Sequence, residues 1–209
     1  ALVYALFDQG FQFFDFGFYS PPATLTVIPV SPIYVSAAAA PGGDGQSWGT
    51  AYNDLQSALA ALSPCRPEVW LASGTYLPTA GTNQGVTFNI PPAARIYGGF
   101  AGNETSLAQR NLTNPPAILS GDIGVAGAPA DNSTTVVTFD GSLQSIDTNT
   151  ILDGVTVEQG VGNAGIVIFR ASPLIRNCVL RLNQGSGVAV TSGNPRFEQC
   201  SFLSNTASY

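Results

Sequence analysis

The chain has 209 residues and a net charge of −6, with 44% hydrophobic and only 10% charged side chains. This length is enough for one elongated domain with a continuous core. Because the chain contains neither His nor Lys, catalytic triads, lysine Schiff bases and P-loops are excluded. A surface without a basic patch does not suit nucleic acid, and no apolar run is long enough to span a membrane. We therefore expect no enzymatic activity, no cofactor, no nucleic-acid partner and no membrane span.

Residues 1–31 are predicted to form an aromatic arm that is distinct from the rest of the chain. The aromatic residues expected to contact a neighbouring subunit are Phe11, Phe13, Phe14, Phe16, Phe18 and Tyr19. Because so apolar a segment is not expected to remain in water, it either docks on its own domain or adds a strand to another copy. The sequence leaves both alternatives open.

Two features bear on the compartment. The chain begins with Ala1 instead of Met, which we interpret as a processed amino terminus and hence as a sign of secretion. Three matches to the glycosylation motif, at Asn103, Asn111 and Asn132, permit surface glycans. We expect an extracellular or cell-surface protein whose main partner is itself, with surface glycans as further candidate partners.

Residues 32–209 are predicted to form one β-helical domain, with a capping region over about 33–120. An amphipathic helix is expected at 53–62, beginning with a capping box of Asn53 and Gln56. Such a helix would cover the open end of the first coil and so protect its unpaired backbone groups. Trp48 and Trp70 are expected in the core at this cap. The pairs 98–99 (Gly-Gly) and 121–122 (Gly-Asp) indicate tight corners with positive φ.

Four sequence blocks precede the repeats. They are DGQSWGTAYNDLQSAL (44–59), VWLASGTYLP (69–78), IYGGFAGNETSLAQR (96–110) and ILSGDI (118–123). In this order they resemble the amino-terminal part of bacterial right-handed parallel β-helix repeat proteins, which include secreted members and chlamydial polymorphic outer-membrane-protein-like adhesins. The resemblance implies a right-handed, single-stranded β-helix in a surface context. It implies no particular activity.

Residues 143–209 contain repeats of about 22 residues. The matched positions are Ile175 with Phe197, Cys178 with Cys200, Leu180 with Phe202, and Asn183 with Asn205. A third, looser copy matches Ile151 with Ile175 and Gly154 with Cys178, at a spacing of 24. Short β-rich runs joined by polar corners at this period predict a parallel β-helix. Matched side chains then stack in ladders, and the Asn amides bond each other.

The cysteines and charges of the repeats allow further predictions. Stacked coils place Cys178 and Cys200 about 4.8 Å apart, which is within disulfide range. We favour buried stacked thiols over a bridge, and both alternatives stay open. Arg176 is predicted to form an exposed ion pair with Glu198.

Catalytic and metal sites are not expected. The carboxylates of Asp153, Glu158 and Glu198 are predicted to occupy different coil positions, so that none form the acid pair of a polysaccharide-degrading enzyme. Asp44 and Asp122 stand beside glycines, which is a weak signal for calcium, and we favour solvated turns at both positions.

Together these features predict a secreted, non-enzymatic structural protein, a subunit of a cell-surface filament, sheath or adhesin. Subunits would stack head to tail and exchange their aromatic arms. Two alternatives remain: a carbohydrate-binding or polysaccharide-degrading β-helix, and the amino-terminal fragment of a larger adhesin.

Overall fold

The computed structural model describes residues 31–207, so the predictions for the aromatic arm lie outside the described residues. Along the chain the strands are β1 (Ile33–Val35), β2 (Glu68–Ala72), β3 (Gly74–Tyr76), β4 (Phe88–Asn89), β5 (Arg95–Phe100), β6 (Ala117–Ser120), β7 (Val137–Asp140), β8 (Ile151–Asp153), β9 (Val155–Glu158), β10 (Ala164–Phe169), β11 (Leu174–Arg176), β12 (Val179–Arg181), β13 (Ser186–Val190), β14 (Arg196–Glu198) and β15 (Ser201–Leu203). The described part has one short α-helix, α1 (Leu55–Ala60), and three 3-10 turns at Trp48–Thr50, Leu107–Gln109 and Pro129–Asp131. No helix in it is long and apolar enough to cross a membrane.

The strands form three sheets in which all neighbouring named strands are parallel. Sheet 1 has the order β1-β2-β5-β8-β11-β14, sheet 2 has β3-β6-β9-β12-β15, and sheet 3 has β4-β7-β10-β13. From β2 onward the chain visits sheets 1, 2 and 3 in rotation, so each circuit adds one strand to each sheet. We call each circuit a coil. The described chain is therefore an all-β structure of three parallel sheets, as the repeats indicated.

The register of the last coils follows the predicted spacing of 22 residues. Strand β11 pairs Ile175 with Phe197 of β14, and β12 pairs Leu180 with Phe202 of β15. The prediction for the preceding coil was wrong by one residue, because Leu152 and not Ile151 lies opposite Ile175. Successive strand residues face opposite sides of a sheet, so a spacing of 24 would have turned the buried Leu152 outward.

Two corners of the coil are made by single residues with left-handed backbone. Between sheets 1 and 2 these residues are Gly154, Asn177 and Gln199, with φ of 75°, 52° and 51°. Directly after three strands of sheet 2 they are Gln159, Leu182 and Ser204, with φ of 62°, 56° and 54°. Both columns repeat at 23 and then 22 residues. One left-handed residue reverses the local twist and starts the next strand in a new direction.

The predicted glycine corners are correct only in part. Gly99 has a φ of 88°, but Gly98 lies within β5 and neither Gly98 nor Gly121 has positive φ. These two glycines are required for another reason. A Cβ at Gly98 would collide with the carbonyl oxygen of Gly154, and a Cβ at Gly121 would lie 2.5 Å from the carbonyl oxygen of Gln159. The neighbouring coil passes too close for a side chain.

Helix α1 is shorter than predicted and has a different N-cap. Asp54 and not Asn53 is the N-cap residue, and its carboxylate accepts hydrogen bonds from the backbone N–H and the hydroxyl of Ser57, each at 2.7 Å. The side-chain amide of Gln56 donates instead to the carbonyl groups of Pro78 and Thr87, which lie in the loop between β3 and β4. Leu55 is fully buried and α1 packs on β1 and β4, so the helix covers the amino-terminal end of the core.

The main core lies between the three sheets, and a smaller aromatic cluster lies on the outer face of sheet 1. In this cluster the rings of Trp70 and Phe100 stack with centroids 4.7 Å apart. Trp48 packs against the cluster and donates its indole N–H to the carbonyl of Glu104 at 2.9 Å. Both tryptophans therefore serve packing near the cap, but on the outside of the coil.

Candidate functional site

One candidate surface is the carboxyl-terminal edge of the three sheets in the described chain. In residues 31–207 the strands β13, β14 and β15 are each paired on one side only. The unpaired N–H and C=O groups on their other side form a template for an added strand. We call this surface the open edge. It is defined by β13, β14 and β15.

Side chains that are buried in one coil become half exposed at the open edge. Leu180 is fully buried, whereas Phe202, its partner in the next strand, is 51% exposed. Ile168 is likewise fully buried, and its partner Val190 is 46% exposed. Phe197 packs edge-on against Phe202, with ring centroids 6.2 Å apart. The open edge thus combines unpaired backbone with an apolar surface that equivalent positions bury completely one coil earlier.

The predicted asparagine ladder lies behind this edge. The amide nitrogen of Asn183 donates to the amide oxygen of Asn205 at 2.8 Å, and also to the carbonyl of Arg181. The amide oxygen of Asn183 accepts the backbone N–H of Gly160 at 3.0 Å. Asn205 repeats the pattern by donating to the carbonyl of Leu180 at 2.8 Å. The two amides therefore connect three successive coils.

A buried carboxylate, which sequence reasoning did not identify as a site, joins a long loop to sheet 1. The Asp153 side chain is 1% exposed and accepts hydrogen bonds from Arg110 at 2.6 Å, Arg176 at 2.7 Å and Asn177 at 2.8 Å. The Arg110 guanidinium also lies over the Tyr97 ring, 5.5 Å from its centroid. The sequence did contain one signal for this cluster, because Asp153 is a charged residue in a run of otherwise apolar strand residues. A buried charge requires partners, so such a position predicts an ion pair.

The electrostatics of this cluster indicate a structural role. Burial raises the pKa of Asp153, but hydrogen bonds from Arg110 and Asn177 outweigh burial, so the pKa lies below its ordinary value. The carboxylate is therefore ionised, and its oxygens are occupied by donors. A general acid needs a raised pKa and access to substrate, so Asp153 is not suited to that task.

Two charge predictions are corrected by the same cluster. Arg176 forms its ion pair with Asp153, while Glu198 pairs with Arg196 at 2.6 Å. Asp153 and Glu198 do not occupy different coil positions, because the register aligns both with Arg176 in one column. Arg176 lies between the two carboxylates and turns toward the buried one, because desolvation makes an unpaired charge costly there.

The candidate calcium positions are turn-capping residues. An oxygen of Asp44 accepts the backbone N–H of Gln46 at 3.0 Å, and both oxygens of Asp122 contact the backbone N–H of Gly127. Within residues 31–207 no three side chains of His, Cys, Asp or Glu are grouped as metal ligands.

The glycosylation motifs differ in accessibility. Asn103 and Asn111 are exposed, whereas Asn132 is only 3% exposed and donates its amide to the carbonyl of Gln159 at 3.0 Å. The motif at Asn132 is therefore not an accessible glycan site in the folded chain. A buried, hydrogen-bonded amide cannot carry a bulky polar group.

The aromatic arm joins the described domain beside β1. The Arg66 guanidinium donates to the carbonyl groups of Ser31 at 3.1 Å and Pro32 at 2.8 Å, and so fixes the point where the arm begins. β1 is one outer strand of sheet 1 and β14 is the other. The arm attachment and the open edge consequently lie at opposite ends of the sheet.

Comparisons with known proteins give no identification. No family model matches this chain, and neither a curated protein nor a solved structure matches it. The resemblance of the four sequence blocks to bacterial β-helix repeat proteins therefore stays a prediction.

Proposed function

We propose that this chain is a secreted structural protein, a right-handed parallel β-helix that serves as a subunit of a cell-surface filament, sheath or adhesin. The rotation of the chain through three parallel sheets supports the β-helix. Right-handedness is supported by chirality, since nearly all connections between parallel strands of one sheet are right-handed. Extracellular placement rests on the resemblance of the four sequence blocks alone.

The observation that carries the proposal is the open edge. Within residues 31–207, Phe202 and Val190 are about half exposed in strands that are paired on one side only, although their partners one coil earlier are fully buried. Soluble proteins usually cover or charge such an edge because it promotes association. At this edge, inward-facing positions carry Phe and Val rather than charged side chains. The arrangement favours occupation by another β-segment.

We commit to the aromatic arm of a second copy as that segment. Direct stacking of one coil on another would have to displace α1, which already covers the amino-terminal end. The arm is aromatic, and its attachment at Ser31 lies at the opposite end of sheet 1 from the open edge. A contact between opposite ends of identical subunits is a head-to-tail contact, and it produces a filament when the rotation between subunits does not close a ring.

The alternatives receive less support. A polysaccharide-degrading activity would require accessible acidic groups. The buried carboxylate of Asp153 is not accessible, because its side chain is 1% exposed and forms ion pairs with two arginines. A further coil of the same polypeptide would cover the open edge within one molecule. That alternative corresponds to a fragment of a larger adhesin, and the intact mass of the protein from its source distinguishes it.

Substitution at the open edge tests the proposal. We expect Phe202→Asp to abolish concentration-dependent polymers of the full chain in sedimentation velocity, because a charge would be buried beneath the arriving strand. The control Val125→Asp lies in a loop, with Val125 66% exposed, and is expected to polymerise normally. Circular dichroism establishes that both variants are folded. A wild-type chain that stays monomeric at every concentration contradicts the proposal.

A further inference from the structure

The last two coils bring together two free thiols whose surroundings repeat. Cys178 is fully buried, whereas Cys200 is partly exposed at the open edge. Each sulfur contacts the carbonyl two residues earlier, with Cys178 3.1 Å from Arg176 and Cys200 3.4 Å from Glu198. Each also contacts a carbonyl of the preceding coil. The two side chains therefore point the same way and differ by one coil step.

The backbone places the two thiols within reach of each other. The backbone N–H of Ser201 donates to the carbonyl of Cys178 at 2.9 Å, and Ser201 pairs with Val179 in the register. Cys178 and Cys200 immediately precede this strand pair. Neighbouring parallel strands are about 4.8 Å apart, and disulfides span Cα distances of about 4.4–6.8 Å. A disulfide between them therefore requires only rotation of the two cysteine side chains, while β12 and β15 stay paired.

We propose that Cys178 and Cys200 form a redox site, at which a low-molecular-weight disulfide converts the two thiols into a bridge between coils. The Cys200 thiolate attacks one sulfur of the small disulfide, whose S–S bond breaks, and one small thiolate leaves. Cys178 then attacks the Cys200 sulfur of the mixed disulfide and releases the second small thiolate. The two cysteine protons end on the two released thiols, so two cysteines are oxidised and one disulfide is reduced.

The two thiols are suited to these different tasks. Hydrogen bonding with the neighbouring Cys178 thiol is the main cause that lowers the pKa of Cys200, which favours its thiolate, and partial exposure gives a small disulfide access to this sulfur. Burial is the main cause that raises the pKa of Cys178. The exposed cysteine is therefore the attacking group, and the buried cysteine resolves the intermediate. This assignment goes beyond the proposed assembly and does not require it.

Cys65 provides a matched control. It is an exposed free cysteine in the turn between α1 and β2, outside the ladder. A small disulfide is expected to leave a lasting adduct there, because no ladder thiol lies beside it to resolve the adduct. All further variants are made with Cys65→Ser, so that only the two ladder thiols remain.

The test is incubation of the folded full chain carrying Cys65→Ser with oxidised glutathione, followed by alkylation and intact-mass measurement. We expect loss of two hydrogen masses, no glutathione adduct and no alkylation. Adding Cys178→Ala is expected to leave a lasting adduct on Cys200, while adding Cys200→Ser is expected to prevent reaction. A lasting adduct on Cys200 with Cys178 present, or two thiols that stay free, would overturn the proposal.

A second measurement separates reactivity from a purely structural role. In the Cys65→Ser background, the pH midpoint for alkylation of Cys200 is expected to rise when Cys178→Ala removes the neighbouring thiol that lowers the Cys200 pKa. An unchanged midpoint would contradict the assigned roles. Oxidation is further expected to raise the unfolding temperature of the Cys65→Ser chain and not of its Cys178→Ala derivative, since only the former closes a loop.

Discussion

At the scale of single residues, Asp153 links the loop that carries Arg110 to the strand that carries Arg176. Its side chain is 1% exposed, so its charge depends on these partners. Loss of the Asp153 charge would leave the guanidinium groups of Arg110 and Arg176 without their counterion. The Arg110 side chain is only 11% exposed, so water could not replace the lost partner well. Removing one partner of a buried ion pair is generally far more damaging than removing a surface pair.

We predict that Asp153→Asn lowers the free energy of unfolding by about 3–5 kcal/mol. The matched control is Glu198→Gln in the same column, where the Arg196 partner is 69% exposed and the expected loss is about 0–1 kcal/mol. Urea denaturation of both variants measures the difference. Equal losses would show that burial of the Asp153 cluster does not matter.

The effect of Asp153 should also depend on pH. Its folded-state pKa is lowered, so its stabilising contribution is fully present above the unfolded-state pKa of about 3.9 and is lost as pH falls through the folded-state value. The difference in unfolding free energy between wild type and Asp153→Asn should therefore be constant from about pH 7 to pH 5 and shrink below about pH 4. A difference that grows on acidification would contradict the assignment.

The asparagine ladder permits a comparison of two equivalent residues. Asn183 has neighbouring coils on both sides and is 1% exposed, whereas Asn205 follows β15 in the last described coil and is partly exposed. We predict a loss of about 2–3 kcal/mol for Asn183→Ala, because buried partners lose their hydrogen bonds, and about 1 kcal/mol for Asn205→Ala. Chemical denaturation tests the ranking, and the reverse order would argue against the ladder.

At the scale of structural elements, the repeats predicted which residues stack in the last two coils but not the full register. The spacing of 24 arose from matching Gly154 with Cys178. The structure instead gives Gly154 and Asn177 the left-handed conformation at the same corner, which corresponds to 23 residues. Gly and Asn both tolerate this conformation, so a search for corner residues would have found the register. Gln199, at the next corner, gives no such signal.

The ion pairs and the N-cap could not be read from spacing for a physical reason. Arg176 has a carboxylate on each side in its column, and the choice of Asp153 depends on burial created by a distant loop. Asn53 and Asp54 are both good N-cap residues, so composition alone does not choose between them. Local pattern thus predicted the helix and the strands, while tertiary contacts determined their partners.

The left-handed corners contain a residue that fits them poorly. Leu182 has a φ of 56° and is 52% exposed, so it gains little burial in return for backbone strain. We predict that Leu182→Asn raises the free energy of unfolding by up to about 1 kcal/mol. Leu143→Asn is the control, since Leu143 is 96% exposed and does not have positive φ. Thermal unfolding measures both, and destabilisation by Leu182→Asn would contradict the strain argument.

At the scale of the whole molecule, the two ends of the sheets differ. α1 covers the amino-terminal end, where Arg66 also fixes the start of the aromatic arm. Within residues 31–207, the strands of the other end are paired on one side only, and Phe202 there is half exposed. This polarity was expected in outline, because the sequence combines a capping helix, repeats and an orphan apolar segment. The proposed assembly rests on this difference between the two ends.

Negative-stain electron microscopy tests this claim most directly, with the full chain compared to a variant that lacks residues 1–30. The variant keeps Ser31, whose carbonyl binds Arg66, and circular dichroism checks that it is folded. We predict filaments from the full chain and short separate particles from the variant, because only the full chain carries the segment that is proposed to cover the open edge. Short separate particles from both chains, or filaments from both, would contradict the account.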